Sequence, residues 1–324
     1  MWLNDNEIIW DVGLECEKES IDQGRSYVDQ NIYISHCFFS RYLSYSGSGG
    51  VIYVNGGSYS MSTNYSMFYN CVCSAGGGAI DFNSLNSDLR MICASSCSAS
   101  SCSASSYHFA GLSASHANQV EYLSVSKCSL TTYGYSSVLL NSGNQIFDNT
   151  NSSMNNAKEL SVIRIHSPSS FTSSHCTYSN NKVSHWICIL FWSSSGTILM
   201  SYSNIVHNNS PSWGGVVTVD GAFPKLMYCI FQNNQNTLFC VVQGSLEVSH
   251  SFISHSGSFS VYTAVSTSKN NSFTNRITYQ LQFFNSLHCN ADIPLIEPKQ
   301  TITYNQEYLK SFSFLDTVTI LMIS

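Results

Sequence analysis

A short repeated pattern runs through most of the chain. Its first half reads apolar, two residues, Cys or Ser, one residue, apolar, and it occurs at residues 34–39, 125–130, 226–231 and 248–253. Its second half is a short apolar run, often led by paired glycines, as at residues 49–52, 77–80 and 214–217. A repeat of this size predicts a solenoid, in which each repeat packs against its neighbours.

The repeats alternate like β-strands and lack the 3.6-residue periodicity of helices. The second half recurs at irregular intervals, which excludes helical repeats of fixed length and fits short strands joined by loops of variable length. Its first apolar residues are Val51, Ala79, Tyr107, Val138, Val162, Ile187, Val216, Cys240, Val261 and Leu281. We therefore predict an all-β solenoid of about ten irregular coils over residues 30–290, with the coil boundaries in 85–120 left open.

Alternation also predicts which side chains point inward, because successive residues of a strand face opposite sides. In the second half, the predicted inward pairs are Ile52/Val54, Ile80/Phe82, Ile163/Ile165 and Val217/Val219, with Tyr53, Asp81, Arg164 and Thr218 outward. In the first half, the inward sets are Ser35/Cys37/Phe39, Ser126/Cys128/Leu130, Met227/Cys229/Phe231 and Ser249/Ser251/Ile253, with His36, Lys127, Tyr228 and His250 outward. We expect the same alternation of inward and outward side chains in every copy of the repeat.

Three smaller features refine the coil. Asn181, Asn208 and Asn234 follow the first half and are expected to bond one another along the solenoid. The paired glycines are expected to permit a sharp corner where the next strand begins. Residues 93–106, rich in Ser, Ala and Cys, form either a coil of small residues or a protruding loop.

The charge distribution divides the chain into three segments. Residues 1–29 contain eight acids and two bases, and we predict an acidic N-terminal cap there. Residues 30–290 contain seven acids and nine bases and are almost neutral, so they lack the basic stripe that nucleic-acid binding requires. Residues 291–324 are predicted to be a C-terminal cap or a truncated pre-membrane tail. The first twenty residues do not resemble a secretory signal, and no apolar run is long enough for a transmembrane helix, so we expect that membrane anchoring is not encoded in this chain.

The 13 cysteines are spread along the chain, and several occupy one position of the repeat. Free Cys behaves as a small buried hydrophobe, so mostly free, buried thiols are expected. Neighbouring coils lie about 4.8 Å apart, within the range for a disulfide, so one or two bridges between coils are the alternative.

The glycine-led runs at 77–80, 49–52 and 214–217, together with Phe231-Gln232-Asn233-Asn234, resemble the GGA[ILV]/FxxN repeats of the polymorphic outer membrane proteins. Related surface proteins occur in some parasitic protists. The resemblance covers about residues 30–290 and implies a right-handed, single-stranded parallel β-helix of the pectin-lyase-like type. It also implies a cell-surface or secreted location and a role in adhesion or antigenic display, and it supplies no catalytic residues.

Catalytic, metal and cofactor sites are not predicted. Polysaccharide lyases and hydrolases need clustered carboxylates, and the acids of the repeat body show no paired stretch. Asp81 and Arg164 share a register but are expected three coils apart, about 14 Å. His36, His175 and His250 are expected in coils 1, 6 and 9 as isolated exposed histidines. The cysteines of Cys71-x-Cys73 and of Cys93, Cys97 and Cys102 have partly metal-like spacing, for which a Cys-rich turn is the simpler interpretation.

Aromatic residues offer a contact surface instead. Tyr53, Tyr202 and Tyr228 are the best outward candidates, and Trp186, Trp192 and Trp213 complete a strip on which a sugar could stack. Asn64, Asn151, Asn208 and Asn270 begin N-glycosylation sequons, which matter only in a secreted protein. The sequence thus favours a non-enzymatic scaffold whose partner is a host protein or a glycan. A β-helix polysaccharide lyase or hydrolase, or a non-catalytic carbohydrate-binding module, is the alternative.

Overall fold

The computed structural model is a parallel β-solenoid without a helix among the residues that it describes, as the sequence predicts. Those residues are 12–15, 20–21, 25–28, 30–48, 50–99, 107–128, 136–157, 161–183, 188–210, 214–254, 258–261 and 265–267. All belong to the larger of two compact units, Met1–Ala291. The predicted cap at 291–324 and the tenth coil at Leu281 lie outside the described residues.

The described residues form thirty-two strands. In chain order they are β1 (Val12–Glu15), β2 (Ser20–Ile21), β3 (Arg25–Val28), β4 (Ile32–Ser35), β5 (Phe38–Ser40), β6 (Leu43–Ser48), β7 (Ile52–Asn55), β8 (Ser60–Asn64), β9 (Met67–Tyr69), β10 (Val72–Ala75), β11 (Ile80–Ser95), β12 (Ser98–Ala99), β13 (Tyr107–Ser126), β14 (Ser136–Asn141), β15 (Asn144–Asp148), β16 (Asn151–Ser153), β17 (Asn156–Ala157), β18 (Ser161–His166), β19 (Ser170–Ser174), β20 (Thr177–Ser179), β21 (Lys182–Val183), β22 (Ile189–Trp192), β23 (Thr197–Ser201), β24 (Asn204–Val206), β25 (Val217–Ala222), β26 (Pro224–Met227), β27 (Ile230–Gln232), β28 (Thr237–Gly244), β29 (Leu246–Ser249), β30 (Phe252–Ser254), β31 (Ser258–Val261) and β32 (Val265–Thr267).

Each turn contributes one strand, or one part of a long strand, to each of three parallel stacks. Stack 1 contains β3, β7, β14, β18, β22, β25, β28, β31 and the first parts of β11 and β13. Stack 2 contains β1, β4, β8, β15, β19, β23, β26, β29, β32 and the middle parts of β11 and β13. Stack 3 contains β2, β5, β9, β16, β20, β24, β27, β30 and the last parts of β11 and β13.

The described residues thus make nine complete turns, where the sequence predicts about ten coils. Strands β1 to β3, within the predicted N-terminal cap, pair in parallel with β4, β5 and β7, so the stacks extend into that segment. Two smaller sets of strands, β6–β10–β12 and β17–β21, pair outside the three stacks. Residues 93–99 complete stack 3 and β12, so this part of the Ser/Ala/Cys-rich segment is a coil of small residues.

Left-handed residues turn the chain between stacks. Corner 1 joins stack 1 to stack 2, corner 2 joins stack 2 to stack 3, and corner 3 follows stack 3. Positive φ angles recur at each corner, at Ser142, Ser167, Ser193, Gly221 and Gly244 in corner 1, at His36, Tyr65, Met91, Tyr122, Asn149, His175, Tyr202, Tyr228 and His250 in corner 2, and at Arg41, Asn70, Ser96, Lys127, Met154, Asn180, His207 and Asn233 in corner 3.

These corners correct the predicted register of the first half of the repeat. The core contains Ile34, Leu226 and Val248, where we predicted Ser35, Met227 and Ser249 to point inward. The predicted alternation fails because the left-handed residue that follows interrupts the strand. Beyond the corner the prediction is confirmed, since Cys37, Phe39, Cys229, Phe231, Ser251 and Ile253 are all buried. The copy at 125–130 belongs to corner 3 instead of corner 2, because Ser126 ends β13 in stack 3.

The corner also explains why the repeat requires Cys or Ser. The side chain that follows the left-handed residue donates to the carbonyl two positions earlier, as Ser203 Oγ does to Ser201 at 2.8 Å and Cys229 Sγ to Met227 at 3.3 Å. A serine there also accepts the amide of the residue one turn before, as Ser251 Oγ does from Cys229 N at 3.0 Å. Small side chains with one donor therefore add a hydrogen bond to a carbonyl at the corner, and a serine oxygen also satisfies a backbone amide of the turn before.

Apolar residues fill the interior. The predicted inward pairs of stack 1, such as Ile80/Phe82 and Val217/Val219, are buried. Phenylalanines pack on one another between turns, with ring centroids 4.9 Å apart for Phe39–Phe68 and 5.2 Å apart for Phe231–Phe239. Arg164 and Thr218 were predicted to point outward from stack 1, but both side chains are buried.

A column of asparagines lines the interior just after corner 3, as predicted. Asn208 Nδ2 donates to Asn234 Oδ1 at 3.1 Å, and Asn181 Nδ2 donates to Asn208 Oδ1 at 3.0 Å. Each side chain also bonds the backbone, because Asn208 Nδ2 reaches Tyr178 O at 2.8 Å and Asn208 Oδ1 accepts Asn181 N at 3.1 Å. Asn155 continues the column by accepting the amide of Cys128 at 2.9 Å.

Cysteines occupy the corresponding position in the earlier turns. Cys71, Cys97 and Cys128 are buried and their thiols hydrogen-bond one another in a row. Burial raises the pKa of the Cys71 and Cys128 thiols. In the described part of the chain eight buried cysteines carry a thiol, namely Cys71, Cys73, Cys97, Cys128, Cys176, Cys188, Cys229 and Cys240. Cys37 takes part in a disulfide bond, and so does Cys93. The expectation of mostly free thiols is thus confirmed for these residues.

The paired glycines serve close approach between turns rather than a left-handed conformation. A Cβ added to Gly50 would lie 2.6 Å from the carbonyl carbon of Ala79, and one added to Gly215 would lie 2.8 Å from Cys240 N. Neither glycine has a positive φ. Glycine thus avoids Cβ strain at these positions, as predicted, and the structure supplies the cause: adjacent backbone fills the space that a side chain would need.

Candidate functional site

Four aromatic side chains of corner 2 stack on one another across four successive turns. We call His175, Tyr202, Tyr228 and His250 the ring ladder. The ring centroids of neighbouring members are 5.5, 4.9 and 5.0 Å apart, and the first two pairs are parallel within 9°. The spacing follows from the backbone, because each ring sits on a corner that is one strand spacing, about 4.8 Å, from the next.

The left-handed corner holds the rings in place. Their φ angles lie between 49° and 57°, and the backbone amides of the first three members donate to the turn that follows, as Tyr202 N does to Met227 O at 3.1 Å. The serine before His175 fixes that imidazole, since Ser174 Oγ and His175 Nδ1 are 3.1 Å apart. Ser35 and His36 repeat the arrangement at 2.6 Å. The backbone of the solenoid therefore orients the whole row.

Stability alone does not explain the choice of rings. A left-handed conformation costs an ordinary residue about 1–2 kcal/mol, and Asn or Gly adopts it more readily. Ring stacking contributes about 0.5–1.5 kcal/mol per contact, so three contacts supply about 1.5–4.5 kcal/mol against a cost of about 4–8 kcal/mol for four corners. Asn149 occupies the same corner position one turn before His175, which shows that the fold accepts an asparagine there.

The ladder exposes ring edges and covers ring faces. Tyr202 lies between His175 and Tyr228, and Tyr228 lies between Tyr202 and His250. Tyr202 remains 38% exposed and His175 is exposed, while Tyr228 and His250 are half-buried. A sugar ring cannot lie flat on Tyr202 or Tyr228, so contacts at these residues run through edges, hydroxyl groups and imidazole nitrogens.

The other predicted aromatic residues lie elsewhere. Tyr53 is half-buried in stack 1, beside Asp81. Trp192 packs against His166, with centroids 4.8 Å apart, and lies under the guanidinium of Arg164 at 4.4 Å. Trp186 and Trp213 lie outside the described residues. The single strip that the sequence suggested is thus replaced by a ladder in which only Tyr202 and Tyr228 were anticipated as contacts.

The histidines are the main correction at this site. His36, His175 and His250 were expected to be isolated, yet each stacks on a tyrosine of a neighbouring turn. His36 pairs with Tyr65 at 4.9 Å, and the other two end the ring ladder. The sequence analysis placed Tyr228 at the same repeat position as His36 and His250, and Tyr65 and Tyr202 also occupy it, but the contact between rings of neighbouring turns was not anticipated.

The sequence also missed a pair of carboxylates. Glu121 and Asp148 lie 27 positions apart in the chain but face each other in register on adjacent turns, at the last position of stack 2. Arg90 precedes Glu121 in the same row and forms an ion pair with Asp88, with Nε 2.9 Å from Oδ1. Linear spacing could not reveal the pair, because its members come from different coils.

Asp148 is the more perturbed of the two acids. Burial raises its pKa, and the Glu121 charge adds to the effect, while hydrogen bonds from Ser174 lower it. The Asp148 carboxylate accepts Ser174 N at 2.6 Å and Ser174 Oγ at 3.0 Å. Because these bonds tie the carboxylate to the next turn, Asp148 has a clear structural role.

The remaining predicted charges do not form a catalytic group. The register places Asp81 and Arg164 in one row three turns apart, as expected, through Gly111 and Leu139. Burial raises the pKa of Asp81 to about 6. Among the residues that the structure describes, no cluster of three or more His, Cys, Asp or Glu side chains could hold a metal ion.

Two of the glycosylation sequons are inaccessible. The side chains of Asn151 and Asn208 are buried, and that of Asn208 belongs to the asparagine column. Asn64 is half-buried, and Asn270 lies outside the described residues. The portion of the chain with described structure also contains no helix that could cross a membrane.

No known protein family, curated protein or solved structure matches this chain. The geometry of the described residues is therefore the basis for a functional assignment.

Proposed function

We propose that this protein is a non-enzymatic β-solenoid scaffold that acts by adhesion or antigenic display at a cell surface or in the extracellular space. Its partner would be a host protein or a glycan, and the ring ladder would be the contact surface. The observation that supports this proposal is the row of aromatic edges on strained corners, where an asparagine would satisfy the fold. The location follows from the resemblance to polymorphic outer membrane proteins.

The chemistry of the ladder favours a partner with polar groups that meet ring edges. Tyr and His are amphipathic, and Tyr is enriched at binding sites because it adds contact area at a low cost in conformational entropy. The row is also rigid before binding, which reduces the entropy lost in the complex. Lys225 and Glu247 form an exposed ion pair of 3.4 Å on adjacent turns of stack 2 and supply charge beside the ladder.

A binding assay with matched variants tests the proposal. The labelled full chain is applied to cultured epithelial cells and to a glycan array. The double variant Tyr202→Asn/Tyr228→Asn keeps residues suited to the left-handed corners but removes two rings. Tyr65→Asn is the control, because Tyr65 has a similar φ of 48° and a similar exposure of 40% but lies outside the ladder. Circular dichroism melts verify that each variant is folded.

We expect the double variant to bind at least tenfold more weakly, which corresponds to about 1.4 kcal/mol, while the control binds as the wild type does. Protease treatment of the cells separates a protein partner from a glycan partner. The proposal fails if the folded double variant retains full binding, or if the wild type binds neither the cells nor the array.

A carbohydrate-active enzyme is the second candidate, and the Glu121–Asp148 pair is the observation that favours it. Two carboxylates on adjacent turns, one with a raised pKa, are a minimal arrangement for acid–base chemistry on a sugar. Incubation with polyuronates and neutral polysaccharides, followed by assays for reducing ends and unsaturated products, tests this activity. A real activity must disappear in Glu121→Gln and persist in Glu247→Gln.

A further inference from the structure

Tyr202 and Tyr228 bring two phenol rings together on adjacent turns. Their centroids are 4.9 Å apart, their planes are parallel within 4°, and Tyr202 is 38% exposed. Both rings extend from left-handed corners whose backbone amides are bonded to the next turn, at 3.1 Å in each case. The geometry therefore holds two oxidisable side chains in contact at the surface of the solenoid.

We propose that this pair is a site of oxidative tyrosine coupling, in which a haem peroxidase with hydrogen peroxide converts Tyr202 and Tyr228 into an intramolecular dityrosine. The proposal is independent of the adhesion proposal, because it requires only that the two phenols meet an oxidant.

The reaction balances with one peroxide. Each phenol loses one electron and one proton, and the two radicals join at the carbons ortho to the oxygens. One C–C bond forms, the two ortho hydrogens move to the phenol oxygens and restore the aromatic rings, and the peroxide is reduced to two water molecules. The product is lighter than the starting pair by two hydrogen atoms.

Proximity determines which tyrosines react. Radicals held on neighbouring corners meet without diffusion, and such confinement corresponds to a high effective concentration. At micromolar protein, coupling within the pair should therefore exceed coupling between chains. The stacked rings must rotate about their side-chain bonds until their edges meet, and the exposure of Tyr202 leaves room for this motion.

The neighbouring members of the ladder do not compete for the bond. His175 and His250 flank the pair, so each phenol has one phenol and one imidazole as its ring neighbours in the ladder. Tyr65 stacks on His36 with the same corner geometry, and it provides a matched control with an imidazole where Tyr202 has a phenol.

The test treats the full chain at about micromolar concentration with a haem peroxidase and hydrogen peroxide. Dityrosine fluorescence measures yield, denaturing gels under reducing conditions separate monomers from linked dimers, and tandem mass spectrometry identifies the joined peptides. The variants are Tyr228→Phe, which keeps the ring but removes the phenol, and Tyr65→Phe as the control. A sample oxidised in urea reports on coupling without the fold.

We expect the 202–228 cross-link to be the main dityrosine in the folded monomer, to fall at least tenfold in Tyr228→Phe, and to remain in Tyr65→Phe. In urea the preference for this pair should disappear. The proposal is overturned if Tyr228→Phe gives the wild-type yield, if other tyrosines or intermolecular dimers dominate, or if the folded chain gives no dityrosine.

Discussion

Replacing one asparagine of the interior column tests the fold most directly. Asn208 is buried, and its side chain makes four hydrogen bonds: it donates to Tyr178 O and Asn234 Oδ1, and it accepts from the backbone amide and the Nδ2 group of Asn181. Asn208→Ala removes all four. Asn234 Oδ1 retains the amide of residue 208, at 2.9 Å, as a partner.

The magnitude follows from the groups that lose their partners. The Asn181 amide, one hydrogen of its Nδ2 group and the Tyr178 carbonyl remain buried without their bonds to residue 208. Each such group costs about 1–3 kcal/mol. A water molecule that enters the vacated space would recover part of this cost. We therefore expect a loss of about 3–5 kcal/mol in the free energy of unfolding.

Urea denaturation followed by circular dichroism measures this change. The control is Asn83→Ala, since Asn83 is exposed and its side chain makes one bond, from Nδ2 to Asn55 Oδ1 at 3.2 Å. That variant should stay within about 0.5 kcal/mol of the wild type. A loss below about 1 kcal/mol for Asn208→Ala would refute the argument that the column holds the turns together.

Two further perturbations test the core and the buried charge. Phe231→Asp places a carboxylate in a fully buried site against Phe239, and we expect this variant to unfold the adjacent turns. The comparison variant His250→Ala should lower the free energy of unfolding by no more than about 1 kcal/mol. An unchanged thermal melt of Phe231→Asp would contradict the assigned register. Asp81 has a pKa of about 6 in the folded chain against about 3.9 when unfolded, so the folded state binds the proton more tightly and stability increases as pH falls from about 6 to 4. Asp81→Asn should accordingly be more stable than the wild type by about 3 kcal/mol at pH 7.5 and nearly equally stable near pH 4, and equal urea midpoints at both pH values would disprove this.

Sequence reasoning predicted the contacts that repeat once per coil. The apolar pairs such as Ile80/Phe82 and the column at Asn181, Asn208 and Asn234 were found because every turn repeats the same local requirement. The same reasoning failed at residues such as Ser35, because a single left-handed residue reverses the alternation and nothing in His36 itself identifies that conformation. It did not anticipate why the paired glycines are needed, because the backbone that would meet an added Cβ belongs to the next turn.

The candidate site shows the same division. Tyr202 and Tyr228 were identified as outward residues from strand alternation, and the histidines were recognised at the equivalent repeat position. Their stacking was missed, because it depends on the spacing between turns and on the direction of the side chain at corner 2. The Glu121–Asp148 pair was missed for a related reason, since adjacency between coils depends on loop lengths that vary from turn to turn.

The amino-acid pattern by itself determined that this chain winds into a parallel solenoid with an apolar interior, because a repeated strand cannot bury its apolar side alone. Only the tertiary structure decided which residues of different turns meet, since the left-handed corners and the loop lengths set the register between coils. The ring ladder depends on that register, and so does any function that uses it.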